Sequence, residues 1–135
     1  MHQEDPLKRE VDQFILEEID SVPHLEALLL LWNSANRRRT LDELAHDLYI
    51  SVERTGAIMR DLQSRGFVIV QDDLCLWNPE CARMSLIEAV DRAWRREIVR
   101  ISSLIHSKAS PSVRQFASAF RFKKPHNPGT GPKKD

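Results

Sequence analysis

The chain has 135 residues, of which 41% are hydrophobic and 30% charged, and its formal net charge is zero. This is the composition of a globular protein about one domain long, and it excludes a largely disordered chain. The longest apolar run, residues 27–32, is far shorter than the roughly 20 residues of a membrane span. The polar, acidic N-terminus lacks the pattern of a secretory signal. Cys75 and Cys81 do not make a disulfide framework, and no Cys/His spacing suits zinc, so we expect a reduced, cytoplasmic protein without a cofactor.

The zero net charge conceals two halves of opposite sign. Residues 1–80 hold 16 acidic and 8 basic side chains, whereas residues 81–135 hold 4 acidic and 12 basic ones. Opposite halves can attract each other within one molecule or between subunits, or they can orient a polyanionic partner. The sequence leaves these three alternatives open.

The first two elements are predicted helices. Residues 1–21 contain an amphipathic helix, with apolar side chains from Leu7 to Ile19 mostly three or four residues apart. Ser21 and Pro23 have the residue types of a helix cap and a first helical turn. The helix that follows, over about 23–35, is apolar nearly all round, so we expect it at the centre of the core.

A polar connection leads from this helix into two short capped helices. Thr40 and Glu43 form the spacing of a capping box, which predicts a helix up to about Leu48. Ser51 is a second cap, and it predicts a helix over 52–65 that ends before Gly66.

The hydrophobic period then changes from helical to strand-like. The segments 67–70 and 74–77 are rich in β-branched, aromatic and aliphatic residues, and residues 71–73 form a short turn between them. Because an isolated hairpin is only marginally stable in water, we expect this one to pack on the preceding helices.

The C-terminal part is predicted to be helical up to residue 122. Residues 80–107 hold an apolar stripe over about seven turns, with Arg92, Arg96 and Arg100 on another face, which we interpret as a solvated or ion-paired surface. Ser110 is the predicted N-cap of a last helix. Residues 123–135 form a basic tail rich in proline and glycine, which we expect to be disordered. The predicted fold is mainly α with a small β-hairpin. Its regions are an N-terminal helix (1–21), a helix-turn-helix with a hairpin (22–78), C-terminal helices (79–122) and the tail.

The segment TLDELAHDLYISVERTGAIMRDLQSRGFV, residues 40–68, resembles the winged helix-turn-helix of MarR-like bacterial transcriptional regulators. Like theirs, it has a short helix followed by a recognition helix that begins after a serine. It also has a leucine three residues before an Arg-Gly pair. The likeness covers less than half of the chain. It implies a winged helix, double-stranded DNA as partner, and a homodimer built by the flanking helices. The apolar stripes of those helices offer more surface than the winged module can readily cover, which also favours a dimer.

If this use applies, the helix after Ser51 lies in the major groove. Arg54 would contact a guanine or a phosphate, and Arg60 would contact a phosphate. The arginine triplet 37–39 would contact the DNA backbone. Ser51 would cap its own helix. The DNA-binding residues predicted in this way are Arg37, Arg38, Arg39, Ser51, Val52, Glu53, Arg54, Gly56, Ala57 and Arg60.

Two features depart from a strong DNA binder. The presumed wing tip is Gln71-Asp72-Asp73, where groove-probing wings carry cations, and the first 80 residues are net acidic. The alternative function is therefore a winged-helix adaptor that binds another protein. A small-molecule pocket lined by aromatic residues and a cysteine redox sensor are weaker hypotheses. We expect no enzyme, since the four glycines form no phosphate loop and there is no nucleophile elbow or HExxH.

Overall fold

A computed structural model describes residues 6–34 and 37–108. The predicted helix after Ser110 and the basic tail lie outside these ranges. The described elements, in chain order, are α1 (Pro6–Glu18), α2 (Val22–Trp32), β1 (Arg39–Thr40), α3 (Leu41–Leu48), α4 (Val52–Ser64), β2 (Val68–Gln71), β3 (Leu74–Trp77), α5 (Met84–Arg96) and α6 (Ile98–Ser107). This architecture, mainly α with a small antiparallel sheet, confirms the predicted fold class.

The central helix α2 is surrounded by the other elements. Ser21 is its N-cap and accepts a hydrogen bond from the backbone N–H of His24, and Pro23 lies in the first turn. Leu25, Leu28 and Leu31 are fully buried, as expected for a helix that is apolar nearly all round. The helix ends at Trp32, a few residues earlier than the sequence suggested.

The sheet has three strands in the order β1-β3-β2, one more than the predicted hairpin. The extra strand, β1, pairs Arg39 with Cys75 and Thr40 with Leu74. The sequence had indicated a polar connection here, because two residues are too few to show an alternating pattern. The backbone N–H of Leu41 also donates to Asp73 O at 3.0 Å, so the start of α3 is bonded directly to the turn between β2 and β3.

The predicted continuous helix over residues 80–107 is wrong, because the chain bends between α5 and α6. Glu97 has φ −132° and ψ 47°, outside the helical region. The bend lets both α5 and α6 pack against α1. Arg100 then donates to both carboxylate oxygens of Asp12 at 3.0 Å, which holds α6 on α1.

A single core joins the flanking helices to the helix-turn-helix. Phe14 of α1 meets Phe67 edge-on, with 5.5 Å between ring centroids, and Ile87, Ile101 and Ile105 are buried in the same cluster. The stripes of the flanking helices were expected to offer more apolar surface than the winged module can readily cover. Within the described residues, α1, α5 and α6 cover much of this surface by packing on one another. None of the described helices is long and apolar enough to cross a membrane.

Candidate nucleic-acid interface

The α3–α4 unit is built by local capping. The Thr40 hydroxyl accepts from the Glu43 backbone N–H at 3.0 Å, and the Glu43 carboxylate accepts from the Thr40 N–H at 3.1 Å, which confirms the capping box. Tyr49 ends α3 in the left-handed conformation, with φ 61°. Ser51 then caps α4 by accepting from the Arg54 N–H at 3.0 Å. The chain therefore reverses between the two helices within a short turn.

Helix α4 has one face in the core and one face in solvent. Its buried side chains are those of Thr55, Ile58, Met59 and Leu62, so the predicted inward positions are confirmed. The predicted outward positions are exposed with one exception: Val52, Glu53, Arg54, Ala57 and Arg60 face solvent, as does Ser51.

The exception is Gly56, which was predicted to be an outward, base-facing position but is buried. A Cβ built on Gly56 would lie 3.6 Å from Nη1 of Arg60, so the Arg60 guanidinium extends back over the glycine. Long helical side chains point toward the helix N-terminus, and Arg60 follows this rule. The small residue thus gives the arginine space to lie along the helix.

Arg54 and Arg60 form no ion pair with any residue in the ranges 6–34 and 37–108. Both side chains are exposed on the outward face of α4. A guanidinium that forms no ion pair can neutralise a phosphate without first losing a partner. Glu53 and Asp61 share the exposed surface of α4, so its formal charge is balanced.

The arginine triplet divides into two kinds of residue. Arg37 and Arg38 are exposed and form no ion pair within the described ranges. Arg39 is held between α3 and the end of α2, with bonds to Asp47 at 2.5 Å, Glu43 at 3.4 Å and Ser34 at 3.2 Å. Only 13% of its side chain is exposed. The contact of Arg39 with the DNA backbone stays a prediction, and it would require this guanidinium to exchange intramolecular partners for a phosphate.

The wing is the hairpin of β2 and β3. Gln71 pairs with Leu74, so Asp72 and Asp73 alone make the turn, and Asp72 adopts φ 58°. Aspartate tolerates this left-handed conformation better than most side chains. All three residues of the tip are exposed, so the wing presents an acidic end to solvent.

A cleft of about 500 Å³ separates α2 and α3 from α5. It lies where the sequence suggested a small-molecule pocket, but Trp94 is the only one of the three tryptophans on its wall. Trp32 and Trp77 instead stack edge-on, with 5.0 Å between ring centroids. Burial raises the pKa of the Glu26 carboxyl on the cleft wall. The cleft is lined by Glu26, Leu29, Leu30, Asn33, His46, Asp47, Leu48, Tyr49, Asp91, Trp94 and Arg95.

A polar network next to the cleft was missed by the sequence analysis. Asn33, at the end of α2, donates to Asp91 at 3.3 Å, and Arg95 donates to Asn33 Oδ1 at 3.0 Å. The sequence shows the Asp91–Arg95 spacing but not its third partner, which lies 58 residues from Asp91 along the chain.

The two cysteines do not support a redox sensor. Cys75 is fully buried, and burial together with the nearby Asp73 carboxylate raises the pKa of its thiol to about 11. At neutral pH such a thiol holds almost no thiolate, which is the reactive form. Cys81 is half-buried, and neither cysteine is in a disulfide.

A short helix-turn-helix and a β-hairpin packed on a central helix are now all in place. The chain has a winged helix-turn-helix fold. This confirms the fold implied by the sequence resemblance to MarR-like regulators. Neither a protein-family model nor a curated protein matches the sequence.

The solved structures that are similar to the chain include RV1404 and MepR. RV1404 from Mycobacterium tuberculosis is 18% identical, with a TM-score of 0.47, and the match covers 94% of this chain and 87% of that one. MepR, a transcription regulator of the Staphylococcus aureus multidrug efflux pump MepA, is 15% identical, also with a TM-score of 0.47. That match covers 87% of this chain and 86% of MepR.

Proposed function

We propose that the protein is a cytoplasmic, non-enzymatic transcriptional regulator that binds double-stranded DNA with α4 in the major groove. One observation carries the proposal: Arg54 and Arg60 are exposed on α4 without an ion pair among the described residues. Most arginines elsewhere in the described ranges have an acidic partner. The arginines with such partners are Arg39, Arg65, Arg83, Arg92, Arg95 and Arg100. Arg37, Arg38 and Arg96 also form no ion pair in these ranges, but of the unpaired arginines only Arg54 and Arg60 are on the helix that would enter the major groove.

The first test is the salt dependence of binding to a mixed-sequence DNA duplex, measured by fluorescence anisotropy. Arg37, Arg38, Arg54 and Arg60 supply up to four phosphate contacts from each subunit. Because each contact releases counterions, log Kobs should fall against log salt with a slope of about −3 or steeper for each bound subunit. A flat response between roughly 50 and 200 mM salt would contradict the proposal.

We also propose that the regulator is a homodimer joined through its C-terminal helices. Ile98 is 50% exposed and Val99 is 75% exposed at the start of α6. Leu7, 38% exposed, lines a groove of about 150 Å³ together with Glu97, the residue before Ile98. Apolar side chains that stay exposed beside a groove are typical of a surface that another protein covers.

Light scattering of the Val99→Glu variant tests the dimer. A charge placed in an apolar interface would lose its hydration, so this variant should shift from dimer to monomer at micromolar concentration. Val52→Glu is the matched control, since it adds the same charge at an exposed valine outside the C-terminal helices. A wild-type protein that is already monomeric would overturn the dimer.

The acidic wing tip favours a second candidate, the protein-binding adaptor. Exposed Asp72 and Asp73 would repel a phosphate backbone but suit a basic surface on a protein partner. Under this alternative, DNA binding is absent in the anisotropy experiment. Substitutions that remove the charges of Asp72 and Asp73 would then weaken binding to the protein partner.

A further inference from the structure

Asp20, His24 and Asp61 converge at the side of the recognition helix. Asp20 lies between α1 and α2, His24 is in the first turn of α2, and Asp61 is in the third turn of α4. One ligand atom from each residue lies within 4.8 Å of the others. In the described part of the chain, no other three histidine, cysteine or acidic side chains bring their ligand atoms this close together. Packing of α2 on α4 brings them together across 37 residues of sequence.

The imidazole of His24 is held in place from both of its nitrogens. Nε2 lies 2.8 Å from Oδ2 of Asp61, and Nδ1 lies 2.7 Å from the Ser21 hydroxyl. Only 12% of the His24 side chain is exposed. Metal-binding histidines are held by a hydrogen bond at the ring nitrogen that does not bind the metal. The Ser21 hydroxyl occupies that position at Nδ1, which leaves Nε2 on the side of the carboxylates.

Each of the two carboxylates has one partner among the described residues, His24 for Asp61 and the more distant Arg65 guanidinium for Asp20. Asp20 accepts no hydrogen bond from any residue in the described ranges, and Nη2 of Arg65 is 3.8 Å from its Oδ1. Arg65 instead donates to Glu18 at 2.8 Å. Two carboxylates that converge without a full counter-charge repel each other, and a cation between them removes the repulsion.

We propose that Asp20, His24 and Asp61 bind one divalent transition-metal ion. One imidazole nitrogen and two carboxylate oxygens form a ligand set without sulfur that suits Mn²⁺, Fe²⁺ or Zn²⁺. Ligand atoms around zinc bonded at about 2.0–2.2 Å lie roughly 3.3–3.5 Å apart. The Asp20 and Asp61 side chains are 52% and 51% exposed, so both carboxylates have room to rotate toward that spacing. Their exposed side leaves the remaining coordination positions to water.

The ion would join the α1–α2 junction to α4. It would also replace two negative charges beside the recognition helix with a near-neutral site. Because phosphate binding depends on the charge of the protein surface, the bound ion raises DNA affinity. This last consequence rests on the proposed function, whereas metal binding does not.

The experiment is calorimetric titration of the full-length protein with Zn²⁺, in the absence of DNA. Asp61→Asn and His24→Gln should each weaken the binding about tenfold or more, since each removes a ligand from a three-ligand site. Asp42→Asn and His46→Gln form the matched control. They change an aspartate and a histidine that lie four residues apart on α3 and belong to no three-ligand group in the described ranges. Both should leave the Zn²⁺ affinity unchanged.

Equal Zn²⁺ affinity in the wild type and both site variants would overturn the proposal, as would absence of binding in the wild type. Far-UV circular dichroism confirms that each variant is folded, and Asp20→Asn supplies a third variant outside the helices. A separate anisotropy titration with and without Zn²⁺ measures the effect on DNA. If the protein binds zinc but not DNA, the metal site stands and the proposed function fails.

Discussion

The arginines of α4 and those of α5 and α6 look alike in the sequence but have different surroundings. On α5, Arg92 pairs with Glu88 at 3.5 Å and Arg95 with Asp91 at 3.1 Å. On α6, Arg100 pairs with Asp12 and Glu97. Arg54 and Arg60 of α4 have no such partner among the described residues. Arg96 of α5 is the exception, since it is exposed and forms no ion pair among the described residues. The C-terminal part is therefore more basic by count, but most of its described arginines are already paired, whereas both arginines of α4 are available to a polyanion.

The cause of this difference lies in the spacing of acidic residues and in the bend at Glu97. Acidic side chains precede Arg92 and Arg95 by four residues, which is the favourable orientation on a helix. The bend turns Arg100 toward α1, where Asp12 accepts two hydrogen bonds from it. A cation held by two carboxylates must lose them before it can bind a phosphate. Net charge alone is therefore a poor guide to the binding surface.

The largest expected effect comes from reversing the charges on α4. The double variant Arg54→Glu and Arg60→Glu should weaken duplex binding about 100-fold or more, because two phosphate contacts become repulsive. Both residues are exposed and outside the core, so the stability of the fold should be unchanged. Fluorescence anisotropy at low salt measures the affinity.

The double variant Arg92→Glu and Arg96→Glu is the control for that comparison. It makes the same two charge reversals at exposed arginines of α5 and should change the affinity far less than the α4 variant. An equal loss from both variants would show that only net charge matters, and it would contradict a specific role for α4.

A smaller effect is expected on stability, where substitutions of Arg39 and Arg38 should differ in the free energy of unfolding. Arg39→Ala should lower the free energy of unfolding by about 1–2 kcal/mol, because it removes a mostly buried guanidinium that joins Asp47, Glu43 and Ser34. Arg38→Ala, at an exposed neighbour, should change it by less than about 0.5 kcal/mol. Urea denaturation followed by circular dichroism measures both.

The same two variants should show the opposite order in DNA binding. Arg38→Ala should reduce the affinity and make the salt dependence shallower, whereas Arg39→Ala should leave the salt slope unchanged. A shallower slope for Arg39→Ala would show that Arg39 leaves Asp47 to contact DNA, and it would support the prediction made from the arginine triplet.

The sequence was most informative where neighbouring residues determine the structure. Ser21, Thr40 and Ser51 cap the helices that they were expected to cap, since a cap involves only residues within one helical turn. Gly66 adopts φ 87° after α4, where the sequence placed a helix end. The change to a strand-like period after it located the hairpin to within a residue.

Errors arose where distant residues decide the structure. Strand β1 exists because β3 pairs with it, and the bend at Glu97 lets α6 pack on α1. The surroundings of Arg39 and Gly56 were missed for a different reason, since their partners Asp47 and Arg60 are near in sequence but the side-chain conformations that bring them together are not visible in it. The limit of distance applies to Asp61, which lies 37 residues from His24.

The sequence by itself therefore determined the helix caps, the inward face of α4 and the order of elements that makes a winged helix. These features depend on hydrogen bonds and hydrophobic periods a few residues long. The i,i+4 spacing already pairs Arg92 and Arg95. Only the tertiary structure pairs Arg65 and Arg83 with Glu18 and Arg100 with Asp12, because these ion pairs join different elements. It also decided that α1, α5 and α6 bury one another, since burial depends on which surfaces meet when the chain folds.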